Sequence, residues 1–160
     1  MRRHHERKIL PYAPDEVFDL VADVERYPEF LPWCESLKVL SREARGEAEL
    51  LTAEMTIAFN VYRERIKTEV TLDRSARNIR VRYLKGPFKR LETAWQFAGE
   101  GAGTLVDFDI TYEFKSTTLQ MVVGFFFEEA VRRMVAAFDA RAAKLYRERP
   151  ASSGARATRS

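Results

Sequence analysis

From about residue 35 to residue 114 several runs alternate apolar and polar positions, the pattern of strands. After residue 116 the apolar positions recur every three or four. Leu51, Ala53, Met55, Ile57 and Phe59 alternate with Thr52, Glu54, Thr56 and Ala58. Tyr62, Ile66, Val70 and Leu72 alternate with Arg63, Arg65, Lys67 and Thr71. The same pattern runs through Ile79, Val81 and Tyr83, through Leu91, Trp95 and Phe97, and from Val106 to Phe114. A period of two predicts antiparallel strands with one wet face. Turn formers separate them: Asp73, Asn78, Gly86-Pro87 and the run 99–103. A further strand is expected over 4–10, ended by Pro11 and Pro14. Pro14 then opens a short helix with Asp15 and Glu16 at the positive end of its dipole. A second short helical turn or loop follows through 27–33. Ser116 or Thr117 can cap a final helix running to about residue 147, with Leu119, Val123, Phe126, Phe127, Ala130, Met134, Phe138, Ala142 and Leu145 on one stripe. The expected fold is α+β: a curved seven-stranded antiparallel sheet wrapped around one long C-terminal helix, with two short helices after strand 1. Such a sheet leaves space near the ends of the helix.

The length of 160 residues suits one domain, expected over 1–148, with a small, polar tail over 149–160 read as disordered. Net charge is +3, and 148–160 supply +2 of it; residues 1–147 hold 24 cations and 23 anions. The globular part is therefore nearly neutral, and a generic nucleic-acid binder is not indicated. The longest uncharged stretch, 116–127, is too short to span a bilayer. One cysteine, Cys34, excludes an internal disulfide and fits a reducing compartment. No apolar segment follows the basic N-terminus, so no signal peptide is expected. A cytoplasmic protein, peripheral at the inner face of a membrane at most, is the expectation.

Three segments carry a resemblance: 14–34 (PDEVFDLVADVERYPEFLPWC), 84–91 (LKGPFKRL) followed by Trp95 and Phe97, and 112–116 (YEFKS) followed by 136–142 (AAFDARA). On these, over 3–147, the chain resembles the coenzyme Q-binding START-domain family of the polyketide cyclase-like helix-grip superfamily. Its bacterial members are also known as ribosome-association toxins. The resemblance implies a helix-grip fold and a lipid-quinone carrier or chaperone that supports respiration or quinone synthesis without turning the quinone over. The partners implied are an isoprenoid quinone and, in the alternative reading, a ribosomal subunit. An aromatase/cyclase-type enzyme is the third reading.

Candidate ligand contacts come from three places. Tyr27, Phe30, Leu31 and Trp33 form a loop that gates a cavity or covers the core. Met55, Ile57, Phe59, Tyr83 and Trp95 face inward from strands, and Pro87 and Phe88 form a second lip or a packed turn. Val123, Phe126, Phe127 and Met134 lie on the helix stripe. Adjacent His4 and His5 point to opposite faces of a strand, and Cys34 stands alone, so no metal site is expected. No cofactor and no catalytic constellation is expected either: the chain has no phosphate loop, paired carboxylates or nucleophile elbow. Glu64 shares the parity of inward residues. Arg80, Arg82, Lys85, Lys89 and Arg90 form a basic run, extended by Arg63, Arg65 and Lys67. It is either a docking face for anionic lipid or ribosomal RNA, or a solvated face balanced by acids.

Overall fold

A computed structural model describes residues 1–147; the expected tail falls outside them. Seven strands form one antiparallel sheet: β1 (Arg2–Leu10), β2 (Cys34–Arg45), β3 (Ala48–Phe59), β4 (Tyr62–Asp73), β5 (Asn78–Lys85), β6 (Phe88–Glu100) and β7 (Gly103–Phe114). Their order is β1-β7-β6-β5-β4-β3-β2, so β2 to β7 are a meander and β1 joins its far edge. The chain must cross the sheet from β1 to β2. It does so with helix α1 (Pro14–Ala22) and a 3₁₀ turn (Val24–Glu29).

Local chemistry accounts for these boundaries. Pro14 stands at the first turn of α1, and Glu16 Oε1 accepts the Ala13 N–H at 3.1 Å, closing that end. Val17, Phe18, Leu20 and Val21 then bury the inner face of α1. Gly86 has φ +148°, and a Cβ there would stand 3.0 Å from the Arg65 carbonyl oxygen, so the β5–β6 turn requires glycine. Four register irregularities bend the sheet: two in β2 (Cys34/Ser36 and Val39/Ser41), one at Lys67/Thr68 and one at Phe88/Arg90.

The final helix departs from the expectation of one continuous rod. It runs as α2 (Thr117–Arg132) and α3 (Met134–Ala142), with a π turn over Ala143–Arg147. Ser116 caps α2, its hydroxyl accepting the Leu119 N–H at 3.0 Å. The break falls at Arg133, whose ψ relaxes to 3° while its N–H still reaches the Glu129 carbonyl. No proline or glycine stands there to signal it. The two halves pack on different aromatic groups, Phe127 of α2 at one end of the sheet and Phe138 of α3 near the 3₁₀ turn.

The concave face of the sheet, α1 and both C-terminal helices share one core. It includes Leu51, Ile57, Ile66, Ile79, Trp95, Phe97, Phe108 and Tyr112. Thr104 is buried and satisfied, its hydroxyl donating to the Tyr12 carbonyl at 2.6 Å.

Candidate functional site

Two aromatic hubs on the C-terminal helices frame a hollow. Phe127 packs against Tyr112, Phe88, Phe114 and Phe59. Phe138 packs edge-on against Tyr27, Phe30 and Trp95, at 5.2–5.3 Å between centroids. Such pairs add about 0.5–1.5 kcal/mol each beyond simple burial. Phe127 and Phe138 stand on either side of the break at Arg133, and both line the hollow. Between them the helix presents Ala130, Val131 and Met134, and the sheet opposite presents Ala53, Thr68, Val70 and Thr93. Small side chains facing each other between large anchors leave a cavity of about 110 Å³. That is of the order of the engineered ~150 Å³ cavity that stays dry and binds benzene. It has room for one ring and not for a polyprenyl chain as it stands.

The lining is almost wholly apolar, and no acid, lysine, arginine or histidine contributes to it. Tyr27 is held by its own hydroxyl, which donates to the Val21 carbonyl, and burial keeps that hydroxyl protonated far above the usual phenol range. Thr68 on β4 and Thr93 on β6 are the lining hydroxyls besides Tyr27. Neither is engaged in a hydrogen bond with another described residue. They give the wall two groups able to donate to a ligand carbonyl.

Of the residues singled out from the sequence, Tyr27, Trp33, Met55, Ile57, Trp95, Phe127 and Met134 line this cavity. The others stand elsewhere. Phe88 is not a lip: it is 1% exposed, stacked 4.7 Å from Phe114 and edge-on to Tyr83. The reason is the Gly86-Pro87 turn, which tucks the chain inward, buries Pro87 and lets the Phe88 N–H reach the Tyr83 hydroxyl at 3.1 Å. Tyr83 is thus a brace for that turn. Leu31 and Val123 are core, and Phe30 covers Phe138 from outside. Phe59 and Phe126 stack on each other beyond Phe127, and Phe126 is exposed. Lining residues that the sequence did not single out as ligand contacts include Ala53, Thr68, Thr93, Ala130, Val131 and Phe138. Thr68 and Thr93 lie at inward parity, which was the available signal; small residues carry no such mark.

The remaining chemistry is quiet. Cys34 is buried, its thiol pushed up to about 12 by that burial, and it donates weakly to the Ser36 carbonyl. His4 turns inward toward Phe108, while His5 pairs with Asp107 at 2.8 Å on the outer face. Among the described residues no group of His, Cys, Asp or Glu is placed to hold a metal. Glu64 is paired in register with inward Ile57, yet it is exposed at the sheet's end and, among the described residues, accepts only the Arg65 N–H. The basic run divides. Arg82 pairs with Glu69, and Arg80 shares its groove with Glu69, Glu92 and Asp109, so that part is balanced by acids. Arg63 pairs with Glu35 at 2.7 Å. Lys85, Lys89 and Arg90 lie at the other end of β5 and the start of β6, and no ion pair holds them among the described residues.

A curved meander closed by a first strand, gripping C-terminal helices across an apolar hollow, defines the helix-grip class of α+β domains. The family model described as polyketide cyclase/dehydrase and lipid transport matches residues 10–139, and the chain belongs to that family. It is 34% identical to a Rickettsia prowazekii protein named ribosome association toxin RatA, over 84% of this chain and 92% of that one. It is 36% identical to a Pseudomonas aeruginosa protein of the same name, over 91% and 99%. A Xenopus laevis protein named coenzyme Q-binding protein COQ10 homolog B, mitochondrial, is 33% identical over 89% of this chain and 59% of its own length. Among solved structures, the 18 kDa protein CC1736 from Caulobacter crescentus superposes with a TM-score of 0.75 at 40% identity, covering 91% of this chain and 99% of that one. The Zhui aromatase/cyclase from Streptomyces shares the fold at TM-score 0.71 and 17% identity, over 88% of this chain and 93% of that one.

Proposed function

We propose that this protein is a non-enzymatic carrier or chaperone of ubiquinone or a similar isoprenoid lipid, with the ring of the ligand in the cavity. The observation that carries the reading is an apolar hollow of one-ring size, with two hydroxyls free to orient a carbonyl and no ionisable side chain on its wall apart from the protonated Tyr27 phenol. Removing apolar surface from water supplies roughly 25 cal/mol per Å², and a few polar groups fix orientation. The isoprenoid tail needs further room, so uptake involves a parting of α2 or the 27–33 segment from the sheet. The name of the Xenopus relative supports a quinone as the ligand class.

Native mass spectrometry of freshly purified protein, with lipid extraction, tests this. A quinone or another isoprenoid at about one molecule per chain is the expected result. Finding no lipid, together with no fluorescence response to short-tailed quinones, would sink the reading.

A second reading, a regulator that binds a ribosomal subunit, is favoured by the names of the Rickettsia and Pseudomonas relatives. Co-sedimentation with purified subunits separates it. Saturable binding by protein stripped of lipid supports the regulator, and none supports the carrier alone.

A further inference from the structure

We propose that the exposed face of α2 docks on the surface of an anionic lipid bilayer. The segment 116–127 carries no charge, and α2 is apolar on both sides. Val123 and Phe127 bury one side. Met121, Val122, Phe125 and Phe126 stand on the other, with Met121 79% and Phe125 66% exposed. Phe126 stacks on Phe59, and the β3–β4 turn beside it ends in Val61, which is 95% exposed. An exposed cluster of large apolar side chains at one end of a molecule marks a contact surface.

The charges around it indicate what the contact is. The antiparallel order brings the ends of β3, β5 and β7 and the starts of β4 and β6 to this same end. Arg65, Lys85, Lys89, Arg90 and Lys115 gather there. Lys115 donates its N–H to the Pro87 carbonyl at 2.9 Å, and the Arg65 carbonyl lies against Gly86. Among the described residues no ion pair holds any of these five cations, while Arg2 and Arg63 at the same end are paired with Glu128 and Glu35, and Arg3, Arg7 and Arg82 are paired along the rest of the sheet. In the two grooves that flank the turn, the acids Glu54, Glu64 and Glu113 are outnumbered by Arg2, Arg65, Lys67, Lys85, Lys89 and Lys115. A wedge of Phe, Met and Val ringed by unpaired cations matches the boundary between acyl chains and anionic headgroups. RNA bases would stack on Phe125 and Phe126 but leave the aliphatic Met121, Val122 and Val61 without a partner, whereas acyl chains take all of them. A second copy, meeting the first across a two-fold axis, would set the two basic rims against each other.

Docking there has a structural consequence for the cavity. Phe126 and Phe127 are neighbours that both touch Phe59, one on the surface and one lining the hollow. Only a layer of rings separates the bilayer side from the cavity side. This consequence rests on the carrier reading; the docking itself does not.

The test is co-sedimentation of the full chain with vesicles of phosphatidylglycerol and phosphatidylcholine, and with phosphatidylcholine alone. Binding to the anionic vesicles is expected. Met121→Ser combined with Phe125→Ser should weaken it at least roughly tenfold, and Lys85→Glu combined with Lys89→Glu by a similar factor that shrinks as salt is raised. All four positions are exposed, so circular dichroism should match the parent. No binding by the parent, or parent-like binding by the apolar variant, overturns the proposal. So does an apolar variant whose only change is a smaller assembly in light scattering, or weaker sedimentation with ribosomal subunits. Short-tailed quinone binding, followed by fluorescence without vesicles, is expected to be unaltered in both variants. Its loss in the parent would count against the carrier reading and leave the docking result standing.

Discussion

The guanidinium of Arg141, in the last turn of α3, donates to a carboxylate oxygen of Glu29 at 2.6 Å while lying over the Phe30 ring, 5.2 Å from its centroid. This contact ties the C-terminal helix to the 3₁₀ turn that carries Tyr27, and it is only 12% exposed on the arginine side. The hydrogen bond from Arg141, helped by Arg26, holds the Glu29 carboxyl below its ordinary value of 4.5. Arg3 does the same for Asp109 against an ordinary value of 3.8. A depressed carboxyl stabilises the fold fully above its unfolded pKa, and that contribution is lost as pH falls through the folded one. The melting temperature is therefore expected to fall as pH drops below about 4.5, with Arg141→Leu showing a shallower fall than the parent. Thermal melts from pH 6 to about pH 3 check this. Equal slopes for both proteins would show that the pair does not couple to stability.

Phe88→Ala is expected to cost about 3–5 kcal/mol of stability, on the order of 10 °C in melting temperature, because it removes a ring packed against Phe114, Tyr83, Tyr112 and Phe127. Trp33→Ala, at a half-buried position on the cavity wall, should cost less stability and more ligand affinity. Melts paired with quinone titrations decide. The reverse ranking in melting would mean that Phe88 is not the core residue its surroundings describe.

Ala53→Leu should fill the hollow. Ala53 is buried on the wall, opposite α2, in a space of about 110 Å³. Stability is expected to stay within about 1 kcal/mol of the parent, since the added carbons have room, whereas overpacking costs about 1–3 kcal/mol. Quinone uptake should drop by about tenfold or more. Unchanged uptake would place the ligand elsewhere.

Thr68→Val keeps the shape of the wall and removes one hydroxyl. If that hydroxyl donates to a quinone carbonyl, affinity should fall about fivefold, equivalent to about 1 kcal/mol, while an apolar ring without the carbonyl binds as before. Calorimetry with a matched pair of ligands reads the difference. Equal losses for both would mean that the hydroxyl contributes only shape.

Arg80→Glu combined with Arg82→Glu is expected to leave the fold intact. The cost is about 1–2 kcal/mol, because the carboxylate introduced in place of Arg82 would stand in register between Glu69 and Glu92. Because acids already neutralise this part of the sheet, the change should weaken anionic-vesicle binding less than reversal of Lys85 and Lys89 does. Sedimentation of the two variants side by side makes the comparison.

The architecture was legible because period-two alternation and the 3.6-residue stripe reflect burial directly. Strands β3 to β7 and the helical stripe follow from it, while β1 is bounded by its prolines and β2 shows no clear alternation of its own. The break at Arg133 was not legible, since no breaker residue marks it and its surroundings are tertiary. The site was half legible. Large inward aromatics such as Trp95 and Phe127 announce themselves, but a cavity is made by what is small. Ala53 and Ala130 read as ordinary positions until the elements that face them are known. Of the two readings of Phe88, lip or packed turn, the structure shows the packed turn; Phe126, expected on the inward stripe, is left outside because the apolar stripe of α2 is wider than its buried face.

The sheet has two free edges, and both are built against extension. β1 presents Arg2, Arg3, His4, His5, Glu6, Arg7 and Lys8 in succession, and β2 is interrupted twice by bulges and carries Lys38, Arg42, Glu43 and Arg45. A neighbouring chain that tried to add a strand at either side would meet charge and a broken hydrogen-bonding rhythm. Fibril-like growth through these edges is thereby discouraged independently of what covers the concave face. The opening that the proposed ligand uptake requires would leave both edges as poor templates for a neighbour's backbone.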